Sequence, residues 1–455
     1  MDKTYEKDLL TSAGLAQDYL AHVLDMPVFP SARARAGLSA FDEALPECGK
    51  DSTETLELLH RVGGPATTAT TGARYFGFVV GGTLPAAAAA NWLATAWDQS
   101  PSSEMNSPAA VKVETVANRW LLEILGLPAS SGVGMTTGAT MANFTGLAAA
   151  RTALLSRKGW DVEVQGLYGA PEIKVVVSEE VHITVEKALS MLGFGKGRVT
   201  RVRTDANGAM LLDHVPSLDD MTIVCTQAGN VNSGAIDPIG AIARKAEHAG
   251  AWVHVDGAFG LWGKLLEEHS ALFEGIEQAH SFATDAHKWL NTPYDCGVVI
   301  CHDARMLQQA MATVAPYFRE DGAYAPKDMV PEFSRRARGV EVWAALRTMG
   351  REGVAEIIAR CCANARRFAN GLEELGFSIL NDVVLNQLVA TIGTPEELAA
   401  IRAHVEASGE CWFGPTVWKG KHGIRISVSS WRTMEADIDR SLAAIAAAKQ
   451  AVIGE

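Results

Sequence analysis

Basic charge is what this sequence is short of: 40 Lys and Arg stand against 53 Asp and Glu, a formal net charge of −13. That balance excludes the clustered cationic surfaces that phosphate backbones and anionic bilayers require, so neither nucleic acid nor a membrane is an expected partner. Long hydrophobic runs are also missing. The longest, LPAAAAANWLATAW, is too short and too rich in alanine to span a bilayer and reads as a buried helix. The opening MDKTYEKDLL has acidic residues and no apolar core of the kind an export signal needs, so a cytoplasmic location is expected. No CxxC pair occurs among the seven cysteines, and the odd number disfavours a fully paired disulfide set. They are read as free thiols, mostly in the core, and no metal site is expected. GxGxxG and GxxxxGK[ST] are absent as well, which removes the fingerprints of dinucleotide and P-loop sites.

What is present is an alternation of helical and strand patterns over 455 residues, length enough for two or three domains. From about residue 132, KVVVS, TIVCTQ, WVHVDGAFG, SFATDAHKW and GVVIC are apolar strand-like runs separated by amphipathic helices. Continuous apolar strands of that kind predict an α/β domain built on a mostly parallel sheet covered on both faces, assigned to residues 81–335. Residues 336–455 change to long helices and a few alternating strands, read as a smaller C-terminal α+β domain. Residues 1–80 look helical but have no core of their own, and such a segment is expected to pack on something larger, such as a partner subunit.

Four segments carry chemistry. In DAHKWLN, Lys288 follows a strand-like run, and a lysine at a strand end facing a partly dry crevice has a lowered pKa and attacks carbonyls. In WVHVDGAFG, Asp256 ends the preceding strand, where a carboxylate holds a cationic heteroaromatic nitrogen. In TTGATMAN, Thr137, Gly138, Ala139 and Thr140 open a helix, and small residues there free backbone N–H groups for a phosphate, with the Thr140 hydroxyl as a further donor. His182, between a strand and a helix in SEEVHITVEKAL, is either a cap or an imidazole stacked on a flat ring. A phosphate cup, a ring-facing histidine, a carboxylate for a ring nitrogen and a lysine for an aldehyde are the handles of pyridoxal 5′-phosphate.

The order and spacing of DAHKWLNTPYDCG, HVDGAFG and TTGATMAN resemble the group II pyridoxal-phosphate-dependent amino acid decarboxylases, the family of aromatic L-amino acid decarboxylase. The likeness covers most of the chain, from YFGFV near Tyr75 to RISVSSW near Arg425. It implies the aspartate aminotransferase-type fold, fold type I, and decarboxylation of an L-amino acid, aromatic being the leading choice, to the amine and CO2. It also implies that Lys288 carries the cofactor, Asp256 binds its ring nitrogen, His182 stacks on the ring and Ala258 packs on the other face. Gly138, Ala139, Thr140 and His287 then hold the phosphate, and Thr226 lines the site. A loop tyrosine ahead of the pair Arg335 and Arg336 serves as proton donor, with Tyr324 the best match and Tyr317 a poorer one. Asp285, where some relatives carry asparagine, is given no role. Tyr75, Phe76 and Trp97 fall in segments that line the pocket in relatives. A homodimer with active sites at the interface is implied too. An aldehyde synthase, a carbon-carbon lyase or an aminotransferase on the same fold stay open as alternatives, as does a non-catalytic binding protein.

Overall fold

The structure, a computed structural model, describes residues 3–313 and 325–454. The backbone divides into two compact units: one holds the chain up to Gly82 with residues 364–380 and 389 onward, the other residues 83–363 and 381–388. The early helices thus share a unit with the C-terminal strands, and the second division falls inside the Gly339–Glu374 helix.

The larger unit is built on a seven-stranded sheet: β1 (Gly132–Thr136), β2 (Lys174–Ser178), β3 (Thr200–Val202), β4 (Thr222–Gln227), β5 (Trp252–Asp256), β6 (Ser281–Asp285) and β7 (Gly297–Cys301). Their order is β1-β7-β6-β5-β4-β2-β3, with β7 antiparallel to both neighbours and β6, β5, β4, β2 and β3 paired in parallel. Every residue of β1, β4, β5, β6 and β7 is buried, which is why these segments read as apolar runs rather than as alternating patterns. The Ala139–Arg157 helix packs across β5, β6 and β7, and its small buried residues, among them Ala142, Ala149, Ala150 and Ala153, let it lie close. Gly146 on that helix faces the imidazole of His254; a methyl group there would sit 2.9 Å from the ring. Parallel strands end side by side, Gln227 of β4 opposite Asp256 of β5 and Asp256 opposite Ala283 of β6. The carboxyl ends of such strands are where open α/β sheets hold ligands.

The other unit carries a four-stranded sheet, order β10-β11-β9-β8, made of β8 (Ser378–Ile379), β9 (Gln387–Thr391), β10 (Gly414–Trp418) and β11 (Lys421–Ser427). Tyr75 and Phe76 belong to its core: Tyr75 stacks on Trp412 with ring centroids 5.0 Å apart, and Phe76 meets Phe368 edge-on at 5.3 Å. Leu9, Leu10 and Leu20 of the Lys3–His22 helix are exposed.

Six cysteines are buried and Cys48 is exposed. Among the described residues no helix is long and apolar enough to cross a membrane, and no group of three or more His, Cys, Asp or Glu could hold a metal ion.

Candidate active site

Where β5 and β6 end, a cavity of about 290 Å³ is lined by Thr137 to Thr140, His182, Thr184, Ala258, Asp285, His287 and Lys288. Four chain segments distant in sequence therefore converge on it. The Ala139–Arg157 helix begins here, and Asp285 Oδ1 accepts the Ala139 N–H at 2.6 Å, closing a helix start with a carboxylate 146 residues away. The other oxygen, Oδ2, lies 3.0 Å from Lys288 Nζ, and the Asp285 side chain is only 3% exposed. A buried carboxylate thus joins the lysine to the positive end of a helix dipole. Asp285, assigned nothing in the sequence, is the hinge of this corner of the site.

Gly297 of β7 supports the same corner. It pairs with Asp285 of β6 on one side and Thr136 of β1 on the other, and a Cβ at this position would come within 2.3 Å of the Gly138 carbonyl carbon. Only a glycine lets the strand lie this close to the helix start.

His287 sits with Nδ1 2.9 Å from the Cys296 carbonyl oxygen, beneath the Tyr294 ring at a centroid distance of 4.3 Å. Burial lowers its pKa, with Asp285 opposing the shift. His182 is the N-cap of the Ile183–Met191 helix, its Nδ1 2.7 Å from the Thr184 hydroxyl, and it also lines the cavity, so cap and cavity-facing ring are one arrangement here. Asp256 is 5% exposed and accepts two hydrogen bonds, the Ala258 N–H on Oδ1 at 3.1 Å and the Asn143 amide on Oδ2 at 3.2 Å. Thr226 is buried on the neighbouring β4 and donates its hydroxyl to the His254 carbonyl at 3.1 Å. Neither Asp256 nor Thr226 is part of the cavity lining given above.

Tyr324 and Tyr317 lie outside the described residues. The arginines that follow them are anchored: Arg335 makes a two-pronged pair with Glu114 at 3.0 and 2.5 Å, both side chains buried, and Arg336 reaches Glu341 and Asp295.

His254, in the middle of β5, is wholly buried, and burial pushes its pKa down from 6.5 to about 3. The folded protein therefore keeps this ring neutral while the unfolded chain binds a proton below pH 6.5. The resulting stabilisation is present above pH 6.5 and is lost as the pH falls towards 3. Between pH 6.5 and 5 the loss from this residue is about 2 kcal/mol, from roughly 1.4 kcal/mol per unit. Urea titrations of wild type and His254→Gln across that range should show a steeper acid loss for wild type; parallel curves would mean that His254 is not held neutral.

Together these groups fit a phosphorylated aldehyde carrying a heteroaromatic ring. Gly138 and Thr140 line the cavity at a helix start for the phosphate, the Ala139 N–H there being given to Asp285, Lys288 faces the cavity, His182 and Ala258 line it, and Asp256 presents a hydrogen-bonded carboxylate nearby in the sheet. Sheet and site define a fold type I pyridoxal-phosphate enzyme.

The chain matches the pyridoxal-dependent decarboxylase conserved domain over residues 38–390. It is 31% identical over 385 residues to the L-2,4-diaminobutyrate decarboxylase of Rhizobium meliloti (strain 1021), covering 79% of this chain and 74% of that one. It is 28% identical over 346 residues to the aromatic-L-amino-acid decarboxylase of Bacillus atrophaeus, 73% of this chain and 70% of the relative. The crystal structure of Oryza sativa TDC with PLP and tryptamine superposes with a TM-score of 0.90, covering 99% of this chain and 98% of that one at 24% identity. The chain belongs to the pyridoxal-dependent decarboxylase family, and it is an amino acid carboxy-lyase that uses pyridoxal 5′-phosphate.

Proposed function

We propose that this decarboxylase converts an aromatic L-amino acid into the corresponding amine and CO2, and that it works as a cytoplasmic homodimer with active sites at the subunit interface. The observation that carries the chemical reading is the buried Asp285, whose two oxygens take Lys288 Nζ and the Ala139 N–H and so set an amine beside a helix start in one cavity. The aromatic choice is supported by the Bacillus relative, whose name specifies that substrate class.

When bound, pyridoxal phosphate supplies a sink for the electron pair left at Cα as the carboxylate departs. The residues of the chain divide the remaining work. Ala139, Thr140 and His287, with Gly138 leaving the approach open, would hold the phosphate at the helix start through the Thr140 hydroxyl and the His287 ring, the Ala139 N–H being taken by Asp285. Lys288 would hold the aldehyde of the cofactor through its amine. His182 and Ala258 would flank the ring, with Thr226 on the neighbouring β4, and Asp256 would supply the carboxylate for the ring nitrogen. Tyr324 delivers the proton that Cα takes up after CO2 leaves.

A screen of the common L-amino acids and 2,4-diaminobutyrate for CO2 release, with added cofactor, tests the substrate. Highest kcat/KM for Tyr, Trp, Phe or a hydroxylated relative is expected; preference for diaminobutyrate or an acidic amino acid would overturn the aromatic reading. Aldehyde with peroxide instead of amine would point to the synthase reaction.

The dimer is supported by the exposed Leu9, Leu10 and Leu20 on the first helix, apolar surface of the kind subunits cover. Mixing inactive Lys288→Ala and Tyr324→Phe subunits gives a sharp test. If Tyr324 serves the partner's site, hybrid dimers hold one site with both defects and one with neither, and activity returns in up to roughly a quarter of all sites under random pairing. No recovery in proven hybrids would mean that Tyr324 acts within its own subunit or is not the donor.

A further inference from the structure

Behind Asp256 a file of hydrogen bonds runs into the core through side chains that no part of the reaction touches. Trp252, His254 and Asp256 alternate along β5 and so share one face, against which the Ala139–Arg157 helix presents Asn143 and, one turn on, Gly146. The Asn143 amide nitrogen donates to Asp256 Oδ2 at 3.2 Å, and its oxygen lies 2.8 Å from His254 Nε2. His254 Nδ1 lies 2.8 Å from Ser281 Oγ, which also accepts the Trp252 indole N–H at 2.9 Å. Asn143, His254 and Ser281 are completely buried.

The direction of every link follows from one end. An ionised carboxylate only accepts, so the nitrogen of the Asn143 amide must face Asp256 and its oxygen must face His254. That oxygen needs a donor, which places the imidazole proton on Nε2. Burial holds His254 neutral, so Nδ1 keeps its lone pair and receives the Ser281 hydroxyl proton. Ser281 in turn accepts from tryptophan, whose indole only donates. Reversing any member would set two acceptors against each other in the dry core.

We propose that Asn143, His254 and Ser281 are positioning residues for decarboxylation: they lock the Asn143 amide with its N–H on Asp256 Oδ2, so that this carboxylate stays aimed at the cofactor ring nitrogen. The proposal rests on the reading of Asp256 given above. A carboxylate in water is oriented by no one donor, whereas a buried one takes its direction from the few groups that reach it. Gly146 belongs to the same device, because any side chain there would displace the His254 ring.

The test uses the full-length protein with added pyridoxal phosphate and the variants Asn143→Leu, His254→Leu, His254→Gln, Ser281→Ala and, as reference, Asp256→Ala. The readouts are the pH dependence of the bound cofactor's visible absorption, its dissociation constant by fluorescence quenching, and kcat and KM. Asn143→Leu and His254→Leu should lower kcat roughly 10- to 100-fold, as expected for loss of a hydrogen bond to a charged group, with KM changed by less than about threefold. Both should move the absorption profile in the direction Asp256→Ala moves it, and the double variant should fall no further than Asn143→Leu alone. His254→Gln, whose amide still donates towards Asn143, should recover most of the loss. If the leucine variants do not fold, Ser281→Ala decides, since it removes one hydroxyl and little volume yet frees His254 to change tautomer. A folded Asn143→Leu or Ser281→Ala with wild-type absorption profile and kcat, beside an altered Asp256→Ala, overturns the relay and leaves Asp256 in its role. An unaltered Asp256→Ala overturns the reading of Asp256 and the relay with it.

Discussion

Lys288→Ala is expected to fold and to lose turnover on the order of 10⁴-fold or more, because the reaction loses both the amine that exchanges with substrate and a nearby proton carrier. Folding should survive because the Lys288 side chain faces a cavity and its ion-pair partner, Asp285, still accepts the Ala139 N–H. In the wild-type protein, borohydride treatment after cofactor addition should fix a phosphopyridoxyl group on the peptide containing DAHKW. Mass spectrometry that finds the label on another lysine would overturn the assignment, and so would a Lys288→Ala protein with a visible absorption band and near-normal rate.

For Asp256→Asn the expected loss is on the order of 3 kcal/mol in the barrier, about 100-fold in kcat, since a neutral amide cannot keep the ring nitrogen charged as electrons flow towards it. Cofactor should still bind through the helix start, so the dissociation constant should change far less than the rate. The substitution also sets an amide opposite Asn143, whose nitrogen now meets either an oxygen or a second nitrogen depending on how the new side chain turns. Stopped-flow measurement of a single turnover separates the chemical step from product release. A chemical step near the wild-type rate would mean that another group holds the ring nitrogen.

Much of this site was legible in the sequence because its parts sit in short contiguous stretches. Lys288 and His287 are adjacent, the small residues of TTGATMAN announce a close backbone approach, and Asp256 ends an apolar run that became β5. What escaped was side-chain direction and distant pairing. Asp285 is three residues from Lys288 and 146 from Ala139, and nothing in a linear pattern tells that its two oxygens face one of each. Asn143 and Asp256 are 113 residues apart, and His254 passes for one more member of a buried strand until Gly146 is seen to make room for it. The apolar runs gave the parallel part of the sheet, yet they carry no direction, so the reversal of β7 and its place between β1 and β6 could not be read from GVVIC alone. Long-range pairing also explains why the early helices, which look coreless in sequence, share a compact unit with residues more than 300 positions later.

The close approach of Gly297 to Gly138 has a bearing on engineering. A laboratory search for variants that accept new amino acids would diversify the residues around the cavity, and position 297, paired with Asp285 in the sheet, would look like an inviting target. Its backbone is instead the wedge-free joint on which the anion cup closes, and every side chain introduced there pries the helix start away from the strand. Library members altered at this position should disappear at the first selection for soluble expression, before any question of specificity is asked.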